Sequence, residues 1–418
     1  MTTNRARRDD ADARATTDPG RRALVTGALA AAAGVAAGDR PAFAGDAPGE
    51  ARRKVKIGLV GCGARGRWIA GLFRKHGGYE LHAVGDYFPE AARKAGEALG
   101  VDAARCFSGL SAYRKVIASD VEAVILKTPP CFIPVHAKAA AEAGCHVYTA
   151  KPCGVDVPGA LQILEIGRKG TTQQRCVFVD YQMVTDPSNI EVLRRVREGA
   201  IGDLLQVVTV GTSGGCGDRA KGPTIADRLQ GLVWVNDIAL GADYIGNFDI
   251  HALDAARWAL GRRPVAACGA SRVVRPGAHG DARDVCSVVY EYEDGLIHNH
   301  LCHAYAAPGE LSCRILGTKG SAFINYWGDA WVKDTGGKSV FTGKVDNLYD
   351  AGAARNIAAF HRNITTGRFE NETIPRAVDG LLTSILGREA AARKTRTTMD
   401  EILRDNKALE TDVKGLNA

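Results

Sequence analysis

The patterned part of the chain begins with an apolar run, Val55 to Val60, interrupted only by Lys56 and Gly58 and suited to a strand buried on both faces. It breaks at Gly61; glycines recur at 63 and 66, and "RWIAGLFRKHG" then spaces its apolar residues as a helix does. "YELHAVGD" reads as a second strand ending at Asp86, and "AARKAGEALG" and "GLSAYRKVIAS" read as helices. "VEAVILKTPP" is a further buried strand running into a turn, "VHAKAAAEAG" a helix, and "HVYTAKP" a strand. Strands and helices alternating over short connections form right-handed βαβ units, so a parallel sheet is expected over residues 54–180.

From about Leu204 the period drops to two. "LLQVVTVG", "VAACGASRVV", "DVCSVVYEYEDG", "LIHNHLCHAY" and "ELSCRILGTKGSAFINYW" alternate, with "EDG" and "GTKG" as hairpin turns. Residues 181–418 are therefore expected to form a large, mostly antiparallel sheet with helices on one face. "AGAARNIAAFHRNITTG" and "PRAVDGLLTSILGREAAAR" read as two amphipathic packing helices, the first stopped by its glycine, and "MDEILRDNKALETDVKG" as a surface tail or short helix. The other face of such a sheet stays open, and an uncovered apolar face favours association, so a homo-oligomer through this sheet is expected.

Composition adds bounds. The 418 residues exceed what one core usually supports, and 45% hydrophobic with 24% charged residues is an ordinary soluble balance. The net charge of +7 is scattered without aromatic interleaving, which argues against a nucleic-acid partner. Eleven cysteines, an odd number with no C-x-x-C pair, read as buried free thiols and point to folding under reducing conditions.

Residues 1–44 read as an export signal: a polar, arginine-rich start ending in Arg21–Arg22, the weakly apolar "ALVTGALAAAAGVAA", and "AFA" at Ala42–Ala44 with small residues for cleavage. A disordered alanine-rich tail is the plainer alternative. The paired arginines resemble a twin-arginine signal, a route that carries folded proteins and would let a cofactor be loaded first. The tract is too short for a membrane span, so no stable insertion is expected once it is removed, and residues 45–53 read as a linker. This places the mature chain in the periplasm or cell envelope.

The glycines are spaced G-x-G-x-x-G between strand and helix, where Gly61 serves a tight turn, Gly63 a close approach to a pyrophosphate and Gly66 close helix–strand packing. Asp86 falls twenty residues past Gly66 at the end of the second strand, where a carboxylate accepts from ribose hydroxyls and repels a 2′-phosphate. NAD is thus the expected cofactor and a Rossmann domain the expected fold of this half. Asp86 also stands where it would cap the following helix, and the two roles compete for one carboxylate.

"VGCGARG", "KTPPCFIPVHAKAAAEAGCHVYTAKP" and "GNFDIHALDAARWALG", in that order, resemble the Gfo/Idh/MocA oxidoreductases, the family of glucose–fructose oxidoreductase and inositol dehydrogenase. The resemblance implies an α/β fold: the Rossmann domain followed by an α+β domain with an open-faced sheet. It implies that Gly61, Gly63, Ala64, Arg65, Gly66, Asp86, Thr128, Pro129 and Lys151 meet the cofactor. It also implies that Lys151, in what is usually an E-K-P turn but here has Ala150, hydrogen-bonds the reacting oxygen, and that His251 closes a D-x-x-x-H segment as acid–base group.

Asn247 stands where that segment usually has aspartate; one helical turn would put it beside His251, with Asp249 nearby to compensate. Tyr181, Asn236, Asp237, Asn247 and Asp249 are the expected substrate contacts. Read from the residues alone, Lys151 also fits a solvated surface lysine and His251 a satisfied core histidine, while Asp254 fits an orienter of His251 or an ion-pair partner of Arg257. His298 and His300 alternate onto one strand face, but spacing supplies no third ligand and no metal is expected.

The expectation is an exported, NAD-dependent enzyme that oxidises or reduces a secondary hydroxyl of a sugar, cyclitol or glycoside. Two alternatives stand beside it: a redox-neutral glycosidase using tightly held NAD, and a non-catalytic sugar-binding protein on a decayed scaffold.

Overall fold

The structure, a computed structural model, describes residues 53–216, 224–275, 279–304, 309–413 and 416, so the expected export signal lies outside the described residues, as does nearly all of the expected linker. Its first sheet is built from β1 (Val55–Val60), β2 (Tyr79–Asp86), β3 (Cys106–Ser108), β4 (Ala123–Leu126), β5 (His146–Ala150) and β6 (Val177–Asp180). They lie in the order β3-β2-β1-β4-β5-β6, and every neighbouring pair is parallel. Between them run α1 (Ala64–His76), α2 (Pro89–Leu99), α3 (Ala112–Ile117), α4 (Ile133–Glu142) and α5 (Val157–Thr172). β4 is buried at all four positions, as the apolar run predicts for a strand covered on both faces.

The strand order reverses at β1, with β2 on one side and β4 on the other. Parallel sheets bind ligands in the crevice beyond their strand ends at such a switch point.

After α6 (Pro187–Arg197) the chain enters a nine-stranded sheet. β7 (Leu204–Thr212) leads into the short helices α7 (Ile225–Leu229), α8 (Ile238–Gly241) and α9 (Asp243–Asn247), then α10 (Ile250–Leu260). The strands β8 (Ala266–Arg272), β9 (Val285–Glu291), β10 (Ile297–His303), β11 (Glu310–Gly317), β12 (Gly320–Asn325), β13 (Gly328–Asp334) and β14 (Ser339–Val345) follow. The chain ends in α11 (Leu348–Thr366), α12 (Thr373–Arg393), the two-residue β15 (Thr397–Thr398) and α13 (Met399–Asp405). The order is β14-β13-β12-β11-β7-β10-β9-β8-β15, antiparallel except where β10 pairs β7 in parallel. That exception follows from the helical excursion after β7, which sends the chain back to the sheet in the same direction.

Burial on β10 alternates strictly, His298, His300 and Cys302 inward and Ile297 and Leu301 outward. The outer face carries Arg314 over the stacked rings of Phe323 and Trp331. β13 and β14 lie outside the predicted pattern, because at this edge the outward positions hold Asp329, Trp331 and Lys333 and the apolar alternation fades.

α12 differs from the one-faced helix expected of it: fifteen of its residues are buried, since it lies between the second sheet, α10 and α5. It also fixes α10. Asp254, fully buried, accepts from Arg376 of α12 at 2.7 Å, whereas Arg257 pairs with Asp379 of α12, also at 2.7 Å. The expected Asp254–Arg257 pairing is thus replaced by two ion pairs between helices. Arg376→Ala strands a buried carboxylate and is expected to cost about 3–5 kcal/mol, read as a lower denaturant midpoint in equilibrium unfolding.

Candidate active site

The carboxyl ends of β1, β2, β4, β5 and β6 converge on one edge of the first sheet. Gly61 leaves β1 with φ +97°, and a β-carbon there would strike the Lys127 backbone. Gly66 packs so close to the turn that a β-carbon would lie 1.8 Å from the Gly61 carbonyl oxygen. Gly63 differs: nothing lies within 4 Å of where its β-carbon would be. It is also the N-cap of α1, with no side chain satisfying the helix's first N–H groups. Open space before uncapped N–H groups is an anion cradle.

Asp86 accepts from the Cys62 N–H at 2.6 Å and from the Phe88 N–H at 2.9 Å. It does not cap α2, whose N-cap is Phe88, so one of its two expected roles falls away. A carboxylate offers about four acceptor positions, so Asp86 keeps capacity for a ribose hydroxyl. Burial pushes its carboxyl above the usual range, against the pull of those backbone donors.

Beyond the cradle lie groups that the sequence pattern does not single out. Lys127, just past β4, donates to Asp180 at the end of β6 at 3.1 Å, and both side chains are buried. Asn356 of α11 also donates to Asp180, at 2.8 Å. Burial brings the Lys127 ammonium down to about 8 although Asp180 pulls the other way. The available signal was a single charge ending each of two apolar strands, which a parallel sheet brings to the same edge.

Lys151 follows β5, between those two strands, and donates from Nζ to the Asn247 carbonyl at 2.6 Å. Burial, followed by the Arg65 charge, lowers its ammonium to about 7, with Asp180 and Asp249 opposing. His251 is buried on the first turn of α10 with no partner for Nδ1. Burial, then the charges of Lys151 and Arg65, hold its imidazolium well below the usual value. The site therefore sets a neutral imidazole beside an amine balanced between its two forms.

The remaining expected residues separate. Arg65 rests its guanidinium 4.1 Å from the Trp68 ring and 4.3 Å from that of Tyr349, under the start of α11. Thr128 has a buried hydroxyl without a partner, and Pro129 begins the turn after it. Ala64 opens α1 and is exposed. Tyr181 is buried behind His251, edge-on at 6.1 Å, its hydroxyl towards Gly380 of α12 rather than the cleft. Tyr326, which the sequence does not mark, also lies against His251, at 5.3 Å, and donates to Gln182 at 2.5 Å.

Asn247 and His251 do not share a helical turn, because the chain breaks at Phe248–Asp249 between α9 and α10. Asn247 contributes its carbonyl to Lys151 while its amide donates to Gly241. Asn236 accepts from Tyr244, and Asp237 pairs with Arg228, so both spend polar atoms within their own segment. Asp249 turns away from His251 towards His300 of β10.

The open cradle at Gly63, the acceptor at Asp86 and the orphaned Thr128 hydroxyl fit the pyrophosphate, ribose and carboxamide-bearing end of a dinucleotide. Such a cradle defines a dinucleotide-binding protein. Comparison with known proteins carries this further. Residues 55–181 match the oxidoreductase family with an NAD-binding Rossmann fold, and residues 190–323 match the GFO/IDH/MocA C-terminal domain. The chain belongs to the GFO/IDH/MocA family of NAD-binding oxidoreductases.

Inositol 2-dehydrogenase of Rhizobium meliloti is 27% identical over 234 residues, a match covering 56% of this chain and 63% of that protein. The chain thus spans less than two thirds of that relative's length. Among solved structures, the aldose–aldose oxidoreductase from Caulobacter crescentus, complexed with glycerol, aligns with TM-score 0.68 and 21% identity over 83% of this chain and all of its own. The WlbA dehydrogenase from Bordetella pertussis, in complex with NADH and UDP-GlcNAcA, aligns with TM-score 0.64 and 21% identity over 83% of this chain and 99% of its own. At that identity the structural likeness is one of fold.

The two glycines separate binding from folding. Gly63→Ala is expected to keep the wild-type melting temperature yet weaken NAD binding at least about tenfold by filling the cradle, as calorimetric titration would read. Gly66→Ala is expected to yield little folded protein.

Proposed function

We propose that this chain transfers a hydride between bound NAD and the carbon bearing a secondary hydroxyl of a sugar, cyclitol or glycoside. The observation that carries this reading is the meeting of Lys151 and His251 beside the glycine cradle, one poised near neutrality and the other uncharged. The cofactor, when bound, supplies hydride acceptance or donation. Gly61, Gly63, Ala64, Arg65, Gly66, Asp86, Thr128 and Pro129 hold it. The Lys151 ammonium hydrogen-bonds the substrate oxygen and stabilises negative charge developing there. Neutral His251 takes the hydroxyl proton in oxidation and returns it in reduction.

The leader-like first 44 residues support export by a twin-arginine route with NAD already in place. Outside the cytoplasm a retained cofactor must be regenerated on the enzyme, by a second substrate or within one redox-neutral cycle that cleaves a glycoside. Native mass spectrometry, followed by a sugar and glycoside panel without added cofactor, separates the two: bound NADH accumulates in the first case and aglycone is released in the second. Retained dinucleotide with no turnover would favour a binding protein.

Lys151→Ala and His251→Ala are each expected to lower kcat by about 10²–10⁴ in that panel. Because the ammonium share of Lys151 falls as pH rises through about 7, activity that needs it declines on the alkaline side, which a pH–rate profile reads directly.

The outer face of the second sheet supports self-association. Ile297 and Leu301 of β10 and Val340 of β14 are exposed on this sheet, which also carries the Phe323–Trp331 stack. Leu301→Glu is expected to shift the protein to a smaller species in light scattering coupled to size exclusion.

A further inference from the structure

Arg65 and Trp68 stand three residues apart on α1 and so share one face of its first turns. The Arg65 guanidinium carbon lies 4.1 Å from the Trp68 ring centre and 4.3 Å from that of Tyr349, and the two rings lie 4.4 Å apart. Trp68 Nε1–H donates to Asp350 Oδ1 at 2.8 Å, which ties the pair of rings to the next residue of α11. The backbone of that turn is anchored in its own right. The Tyr349 carbonyl accepts from Gln182 Nε2 at 3.1 Å, Gln182 Oε1 accepts from the Tyr326 hydroxyl, and a β-carbon on Gly352 would lie 2.8 Å from Gln182 Cβ. Gln182 is buried, so the start of α11 has a fixed footing beside the cradle.

An arginine held by a carboxylate spends both its charge and its N–H groups on that partner. Aromatic rings hold a guanidinium differently: they attract it through their faces and leave the N–H groups, which point outward in its own plane, open. Among the described residues no hydrogen bond or ion pair engages the Arg65 side chain, so its five N–H donors stay free for an anion. Tyr349 is 46% exposed, and its ring meets Trp68 and Arg65. Little of that contact is core packing.

Arg65 belongs to the first turn of α1, whose uncapped N–H groups begin at the open space beside Gly63. Helix amides and a free guanidinium in one place suit a diphosphate. We propose that Trp68 and Tyr349, locked together through Asp350, are positioning residues that hold Arg65 ready for the pyrophosphate of the bound dinucleotide and so slow its release. This rests on the reading of Arg65 as a cofactor contact. A guanidinium already held in place needs no further side-chain ordering when the anion arrives, and that difference appears as a longer stay of the ligand. Trp68 is part of the cradle's own helix, but Asp350 lies 282 residues further along the chain. Retention of the cofactor is thereby a property of the whole chain and not of the Rossmann domain alone.

The test is the release rate of NADH from the full chain, followed as loss of bound-NADH fluorescence on mixing with excess NAD. Tyr349→Ala is expected to raise that rate about tenfold. The melting temperature of the unliganded chain should change little, because this side chain is nearly half exposed. Tyr349→Phe, which keeps the ring, is expected to release NADH at the wild-type rate, and Trp68→Phe, which keeps a ring but loses the bond to Asp350, to release it faster than wild type but more slowly than Tyr349→Ala. In an Arg65→Ala chain the further change Tyr349→Ala is expected to add nothing, since the two side chains act as one unit. A wild-type rate in Tyr349→Ala, an equal rate in Tyr349→Phe and Tyr349→Ala, or an undiminished effect of Tyr349→Ala in the Arg65→Ala chain overturns the inference. Release from Arg65→Ala no faster than from wild type would instead overturn the reading of Arg65 as a cofactor contact, so the two failures are distinct.

Discussion

The buried pair between Lys127 and Asp180 is the contact on which the rest of the site depends. It joins the ends of β4 and β6 across β5, and Asn356 fastens the same carboxylate to α11. A buried ion pair is a poor source of stability but a strict one of geometry, since losing either partner leaves a charge that water does not reach. Lys151, at the end of the strand between them, inherits its place from that clamp. The start of α11, with Tyr349 and Asp350, closes over Arg65 and Trp68 in consequence.

The charges around Lys151 are of both signs. Arg65 and Lys127 oppose its protonation while Asp180 and Asp249 favour it, and desolvation tips the sum so that both forms are populated near neutrality. An amine poised in this way both donates to and accepts from a reacting oxygen, which a solvated lysine does not do at the same pH. His251 lies under the same cations and so stays neutral. Two side chains that would each be protonated or nearly so if exposed at mildly acidic pH thus stand there in different charge states.

Much of the first sheet was legible in the sequence, because buried parallel strands advertise themselves as apolar runs and the glycine spacing marks the turn out of β1. The places of Lys151 after β5 and of His251 at the start of α10 were legible through position and resemblance. What escaped was set by tertiary contact. Lys127 and Asp180 are fifty-three residues apart and meet only once β4 and β6 lie one strand from each other. Tyr326 and Asn356 come from the far end of the chain. Asn247 misled because helical spacing was assumed across Phe248–Asp249, where the backbone breaks, and the polar character of β13 and β14 hid the last two strands at that side of the sheet.

The return of α11 to the first sheet bears on how the molecule is made. A ribosome releases all six parallel strands before half of the chain has emerged, yet Asp180 then waits for Asn356 and Arg65 for Tyr349. Until those residues arrive, a nascent Rossmann sheet presents its dinucleotide cradle beside an unfinished catalytic edge. Assembly of the site is therefore a late, long-range event, and the last hundred residues act as the fastening that tells a finished molecule from a partial one.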